Sequence, residues 1–178
     1  MESLFESHLR LADGLPNESD RFQHLQSTLR SLYQAASITA LEIVRALTPS
    51  LEENASVSAL VRRFSQPSDG LPIEIIEACT PIIRSYVSRT YNPGWFEPES
   101  NAGQSLAKDA AAWIEFRNSK PGHGVVSKAD IDEWAPRLSA LLRRSIDCFG
   151  PSLPRNSSEG SVIASVGIHD VAVQIPLT

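Results

Sequence analysis

Arg117-Asn118-Ser119-Lys120-Pro121-Gly122-His123-Gly124 brings a permanent cation, an amide and an imidazole into one short stretch. These groups can bind and cleave a phosphodiester without a metal. RNA carries its own nucleophile, the 2′-hydroxyl, beside each phosphate. An enzyme has only to remove that proton, stabilise charge on phosphorus and protonate the leaving oxygen. A histidine, with an ordinary pKa of about 6.5, can make either proton transfer at neutral pH. An arginine fork matches phosphate oxygens and stays charged, and stabilising developing charge is usually the largest catalytic contribution. On this reading the candidate catalytic residues are Arg117, for the phosphorane charge, His123, for proton transfer, and Asn118, which orients the imidazole or binds a phosphate oxygen.

The elements that must position them read as mainly α: a bundle of about five to six helices followed by a small C-terminal β-hairpin. A short first helix holds Leu4, Leu9 and Leu11 and stops at Gly14-Leu15-Pro16-Asn17. In the second, capped by Ser19 or Asp20, Phe22, Leu25, Leu29, Leu32, Ala36, Ala40, Ile43 and Leu47 recur at three- and four-residue steps up to Thr48-Pro49. A third covers Val57 to Phe64, with Arg62 and Arg63 facing outward or towards a partner. The fourth starts at Pro72 and carries Ile76, Cys79, Ile83, Tyr86 and Val87, with Pro81 expected to kink or shorten it.

After a long loop from Tyr91 to Gly103, the fifth helix spans about Ser105 to Asn118. Leu106, Ala110, Trp113, Ile114 and Arg117 share one face, which aims Arg117 along the buried side. Pro121-Gly122 then takes the chain out of helix, so His123 is expected on a turn. The sixth helix opens on Ser127-Lys128-Ala129-Asp130, a capping box with Asp in place of Glu, and Pro136 predicts a kink. Residues 1–149 are thus read as the helical domain, 150–160 as a linker, and 161–178 as the hairpin. The hairpin would be formed by the β-branched runs 161–166 and 171–175 and could be the start of a truncated further domain.

The Arg117/Asn118/His123 grouping, in a helical chain, resembles the HEPN family, whose signature is Arg followed after four to six residues by His, commonly with a polar residue right after the Arg. Phe116-Arg117-Asn118 followed by Gly122-His123-Gly124 is also similar to bacterial HEPN-like domains of large defence or signalling proteins. The resemblance covers Trp113 to Gly124 specifically, fits the helical region from Ser19 to Phe149 loosely and leaves out the hairpin. It implies a homodimeric helical bundle in which the motifs of two protomers meet to form one metal-independent endoribonuclease site, in a toxin or antiviral-defence setting. Some members carry a modifiable Tyr two residues after the motif His; Val125 stands there in this chain.

A second reading of the same residues stays open. Arg117 could bind carbonyls at the end of its helix, where cations are favoured, and Asn118 could cap it. The domain would then be a non-catalytic dimerisation or ligand-sensing module at the N-terminus of a larger protein. The net charge of −5 argues against a broad non-specific nucleic-acid groove while leaving room for a local basic site. Cys79 and Cys148 read as buried free thiols. No zinc spacing, phosphate-binding Gly-rich loop, signal peptide or membrane-spanning run is present in the sequence, so no metal, cofactor or membrane is expected and a cytoplasmic setting is. Asp130, Asp132 and Glu133 are read as ordinary first-turn acids, His8 and His24 as surface or partly buried, and Trp95-Phe96 as a loop anchor. Arg84, Arg89, Arg143 and Arg144 are read as solvated helix-face cations that could reach a phosphate.

Overall fold

The computed structural model describes residues 4–48, 54–66, 68–87, 89–98, 103–120, 126–153, 155–156, 161–163 and 175–176. Among them are six α-helices: α1 (Leu4–Gly14), α2 (Glu18–Leu47), α3 (Ala55–Arg62), α4 (Leu71–Tyr86), α5 (Leu106–Ser119) and α6 (Lys128–Phe149). A 3-10 turn, Arg63–Ser65, extends α3. The mainly helical class is therefore observed. Short strands β1 (Arg155–Asn156), β2 (Ser161–Ile163) and β3 (Ile175–Pro176) pair antiparallel in the order β1-β2-β3, with Val162 opposite both Asn156 and Ile175. The hairpin's expected turn, Gly167 to Asp170, lies outside the described residues.

The chain divides into two compact units. The first comprises residues 1–32 and 94–148 and the second residues 33–93 and 149–178. In the first, α1 and the N-terminal part of α2 bury Leu9, Ala12, Phe22, Leu25, Leu29 and Leu32. α5 buries Leu106, Ala110, Trp113 and Phe116, and α6 buries Trp134, Leu138, Leu141 and Leu142. Of the expected loop anchor Trp95-Phe96, Trp95 is fully buried, its carbonyl accepting from the Ala107 amide at 3.0 Å, while Phe96 is exposed. In the second unit, Ala40, Ile43 and Val44 of α2 cluster with Val57 of α3, with Leu71, Ile75, Cys79 and Ile83 of α4, and with Tyr91. Tyr33 meets Phe149 edge to face at 6.0 Å.

Two local expectations, the cap of α2 and the place of Tyr86, need correction. The cap of α2 is Asn17 and not Ser19 or Asp20. Its side-chain oxygen accepts from the amides of Ser19 at 2.8 Å and Asp20 at 3.3 Å. Pro81 and Pro136 sit inside α4 and α6, and neither cuts its helix short. A proline leaves the carbonyl four residues earlier without its amide donor; those carbonyls belong to Glu77 and Asp132, on exposed helix faces where water can take the donor's place. Tyr86, placed by spacing in the apolar stripe, is exposed because α4 ends there.

Both cysteines are free and buried, and burial pushes the Cys79 thiol up to about 12. The reactive species is the thiolate. Native protein at about pH 8 is therefore expected to leave a chromogenic thiol reagent unreacted, and unfolding in guanidinium to expose both thiols. Fast labelling of Cys79 in native protein would contradict this packing.

Candidate functional site

The candidate residues lie where α5 ends, in the first unit. Ser105 caps the start of α5, accepting from the Lys108 amide at 3.4 Å. At the other end the Lys120 amide donates to the Arg117 carbonyl at 3.3 Å, and the Ser119 hydroxyl donates to the Phe116 carbonyl at 2.7 Å. These bonds occupy carbonyls that a helix end leaves without partners. Residues 121–125, His123 among them, lie outside the described residues.

α6 opens with the reciprocal cap read from the sequence. The Asp130 amide donates to Ser127 Oγ at 3.2 Å, while Asp130 Oδ2 accepts from the Ser127 amide at 3.0 Å and hydroxyl at 2.7 Å. Asp130 Oδ1 also accepts from Lys120 Nζ at 2.6 Å. One carboxylate thus ties the end of α5 to the start of α6.

The Lys120 hydrogen bond, and then those of Ser127, lower the Asp130 carboxyl from its ordinary 3.8 to about 2. Because the folded value is the lower one, this tie stabilises the fold above about pH 4 and is lost as pH falls towards 2. The stability gap between wild type and Asp130→Asn, followed by urea unfolding from neutral to acid pH, is expected to close over that window. A gap independent of pH would show that the charge is not what holds the cap.

An aromatic column supports this end of the unit. Phe116 stacks on Trp134, with ring centres 4.4 Å apart and planes at 20°, and meets Phe22 edge to face at 6.5 Å. The Lys120 ammonium lies 5.0 Å from the Phe116 ring centre, the Arg137 guanidinium 4.0 Å from that of Trp134, and Arg117 5.7 Å from that of Trp113. Such cation–π contacts hold the long side chains against the rings.

Above the column is a cleft of about 280 Å³ lined by Ser19, Phe22, Gln23, Gln26, Phe116, Arg117, Lys120, Val126 and Ile131. Arg117, half-buried, therefore faces this cleft, as its helical position suggested. Asn118 is exposed and is not among the lining residues. Reasoning from sequence missed Ser19, Gln23 and Gln26. They recur at helical spacing on the polar side of α2, a pattern indistinguishable from an ordinary solvated face.

The other candidates are occupied elsewhere. Arg84 donates to the carbonyls of Tyr91 at 2.8 Å and Asn92 at 2.9 Å, bracing the loop after α4. Arg144 pairs with Asp109 and with the Gln104 carbonyl, and Arg143 approaches Asp13 at 3.9 Å. His8 and His24 face each other, Nδ1 to Nε2 at 3.4 Å, and His24 Nε2 also reaches the His8 carbonyl at 3.1 Å. Among the described residues no group of three or more His, Cys, Asp or Glu could hold a metal ion, and no helix is long and apolar enough to cross a membrane. Comparisons with protein-family models, with curated proteins and with solved structures give no match.

Proposed function

We propose that the chain is a metal-independent endoribonuclease of HEPN type, active as a homodimer in a bacterial defence or toxin setting, with Arg117, Asn118 and His123 as its catalytic residues. The observation that carries the reading is the cleft itself, where Arg117 and Lys120 face Ser19, Gln23 and Gln26. Its described lining combines two cations with neutral hydrogen-bonding groups and holds no carboxylate, which suits a phosphodiester. Covalent connectivity supports the role of His123. It is three positions along the chain from Lys120 and three from Val126, both lining residues. In the reaction an imidazole removes the 2′-hydroxyl proton, the new P–O bond forms as the P–O5′ bond breaks, and a protonated imidazole supplies the proton to the leaving oxygen. Two histidines from two protomers divide these tasks naturally. The test is cleavage of RNA by purified protein in EDTA, by wild type and by His123→Ala. Equal cleavage by both, or none by the wild type in its full-length context, overturns the reading.

Three observations favour a second reading. Arg117 lies against Trp113, its carbonyl closes the end of α5, and Asn118 points to solvent. These are structural roles that a non-catalytic dimerisation or ligand-sensing module of a larger defence or signalling protein would equally need. Such a module would bind its ligand in the cleft and leave RNA intact.

A further inference from the structure

His8 and His24 both lie in the first unit, and neither lines the cleft. The way α1 and α2 are joined brings them level. His8 is six positions before Gly14, the end of α1, and His24 is six positions after Glu18, the start of α2. The ion pair of Arg21 with Asp13, at 2.9 Å, marks the same fold-back nearer the turn. The two rings face each other with centres 5.3 Å apart and planes at 35°. His8 Nδ1 and His24 Nε2 are 3.4 Å apart. Good hydrogen bonds from N–H to oxygen span about 2.7–3.2 Å, so the contact is long for a hydrogen bond. His24 Nε2 is also 3.1 Å from the His8 carbonyl. A carbonyl only accepts, so the neutral His24 ring carries its hydrogen on Nε2, and His8 Nδ1 is left as an acceptor for that same hydrogen.

Two ring nitrogens that converge on one hydrogen can converge on a metal ion in its place. Zn²⁺ binds imidazole nitrogen at about 2.0–2.1 Å in tetrahedral geometry, which sets two such nitrogens about 3.3–3.4 Å apart. The separation of 3.4 Å between His8 Nδ1 and His24 Nε2 matches that bite with neither helix moved. A square-planar or octahedral ion at the same bond length needs about 2.8–3.0 Å between neighbouring ligands. Both histidines are partly exposed, so an ion and its waters can reach them. We infer that His8 and His24 form a two-histidine Zn²⁺ site that clamps α1 to α2, with water in the other two tetrahedral positions. His24 then takes its Nδ1–H tautomer, and no proton is gained or lost by the neutral pair. No third His, Cys, Asp or Glu joins them among the described residues. The site is therefore open, weaker than the closed four-ligand sites of structural zinc, and able to accept an outside donor in place of a water.

Zinc binding by the whole chain, measured by competition with a chromogenic zinc indicator, tests this. Wild type should bind Zn²⁺ and ignore Mg²⁺, which takes oxygen ligands. His8→Ala and His24→Ala should each weaken the binding by at least about 10–100-fold, the loss that follows removal of even an outer partner of a metal ligand. His8→Phe, which keeps a ring and loses both nitrogens, should do the same, and circular dichroism shows which variants keep the fold. His169→Ala should bind as wild type does. Zn²⁺ should also raise the Tm of wild type and leave that of His8→Phe where it was, because only an ion held by the folded helices stabilises them. A Kd weaker than about 1 mM, binding that survives the loss of either histidine in a folded variant, or an equal rise in Tm in wild type and His8→Phe overturns the inference. The outcome is independent of the ribonuclease reading, whose cleavage assay is run in EDTA.

Discussion

His123→Ala is expected to reduce RNA cleavage in EDTA by about 10²–10⁴-fold, the range that a positioned general acid–base contributes. Arg117→Ala is expected to reduce it by about 10²–10³-fold, comparable to losing one well-aimed donor to a developing oxyanion. Arg117→Lys should recover little, because an ammonium on a flexible stem does not reproduce the planar fork that engages two phosphate oxygens. Asn118→Ala should cost less than either, since Asn118 is exposed and lies outside the cleft lining. The ordering is informative beyond its extremes. If the Arg117 side chain served only to cover Trp113, Arg117→Ala would lower stability and cleavage together, and Arg117→Lys would restore both. Melting curves recorded beside the rates separate the two cases. A variant that melts like wild type yet cleaves a hundredfold more slowly assigns Arg117 to the reaction. Single-turnover rates at saturating RNA are the relevant measure, because a group acting only in the transition state changes rate and not ground-state affinity.

The parts of this site that are encoded locally were legible in the sequence, and the parts that depend on folding were not. Ser127 and Asp130 announce their cap because three-residue spacing is a local geometric fact, and the structure forms those bonds. Trp113 and Arg117 share a face of α5 for the same reason. At α2, Asn17, Ser19 and Asp20 are all good capping residues within four positions, and spacing alone could not choose among them. α4 and α6 continue past Pro81 and Pro136, and the carbonyls those prolines leave free lie on exposed faces that water can reach. The cleft was invisible for a different reason. It joins the start of α2 to the end of α5 and the start of α6, segments that are distant along the chain, and periodicity carries no information about which polar faces meet. The same holds for His8 and His24, which sixteen positions of chain separate.

Phe116→Ala is expected to destabilise the protein by about 3–5 kcal/mol, the usual cost of deleting a buried aromatic ring. The ring is 8% exposed and is stacked on Trp134, edge-on to Phe22 and beneath the Lys120 ammonium. Its removal therefore loses apolar burial, two aromatic contacts of about 0.5–1.5 kcal/mol each, and the surface on which Lys120 rests. For a chain of this length the loss corresponds to a fall in Tm of about 6–20 °C. Phe116→Leu should cost less, since much of the buried volume returns without the ring geometry. Leu11→Ala, at a side chain 54% exposed, should stay within about 0.5 kcal/mol. Urea unfolding of the three variants measures this, and a Phe116→Ala loss below about 1 kcal/mol would mean that the column is not packed as described. The variant also links stability to the site. Phe116 precedes Arg117 and forms the cleft floor, so deleting the ring frees the base on which Arg117 and Lys120 are positioned. Displacing a reacting group by about 1 Å can cost about 10²-fold in rate. If the ribonuclease reading holds, Phe116→Ala should lose cleavage at temperatures where it is still folded, and Phe116→Leu should retain more of it.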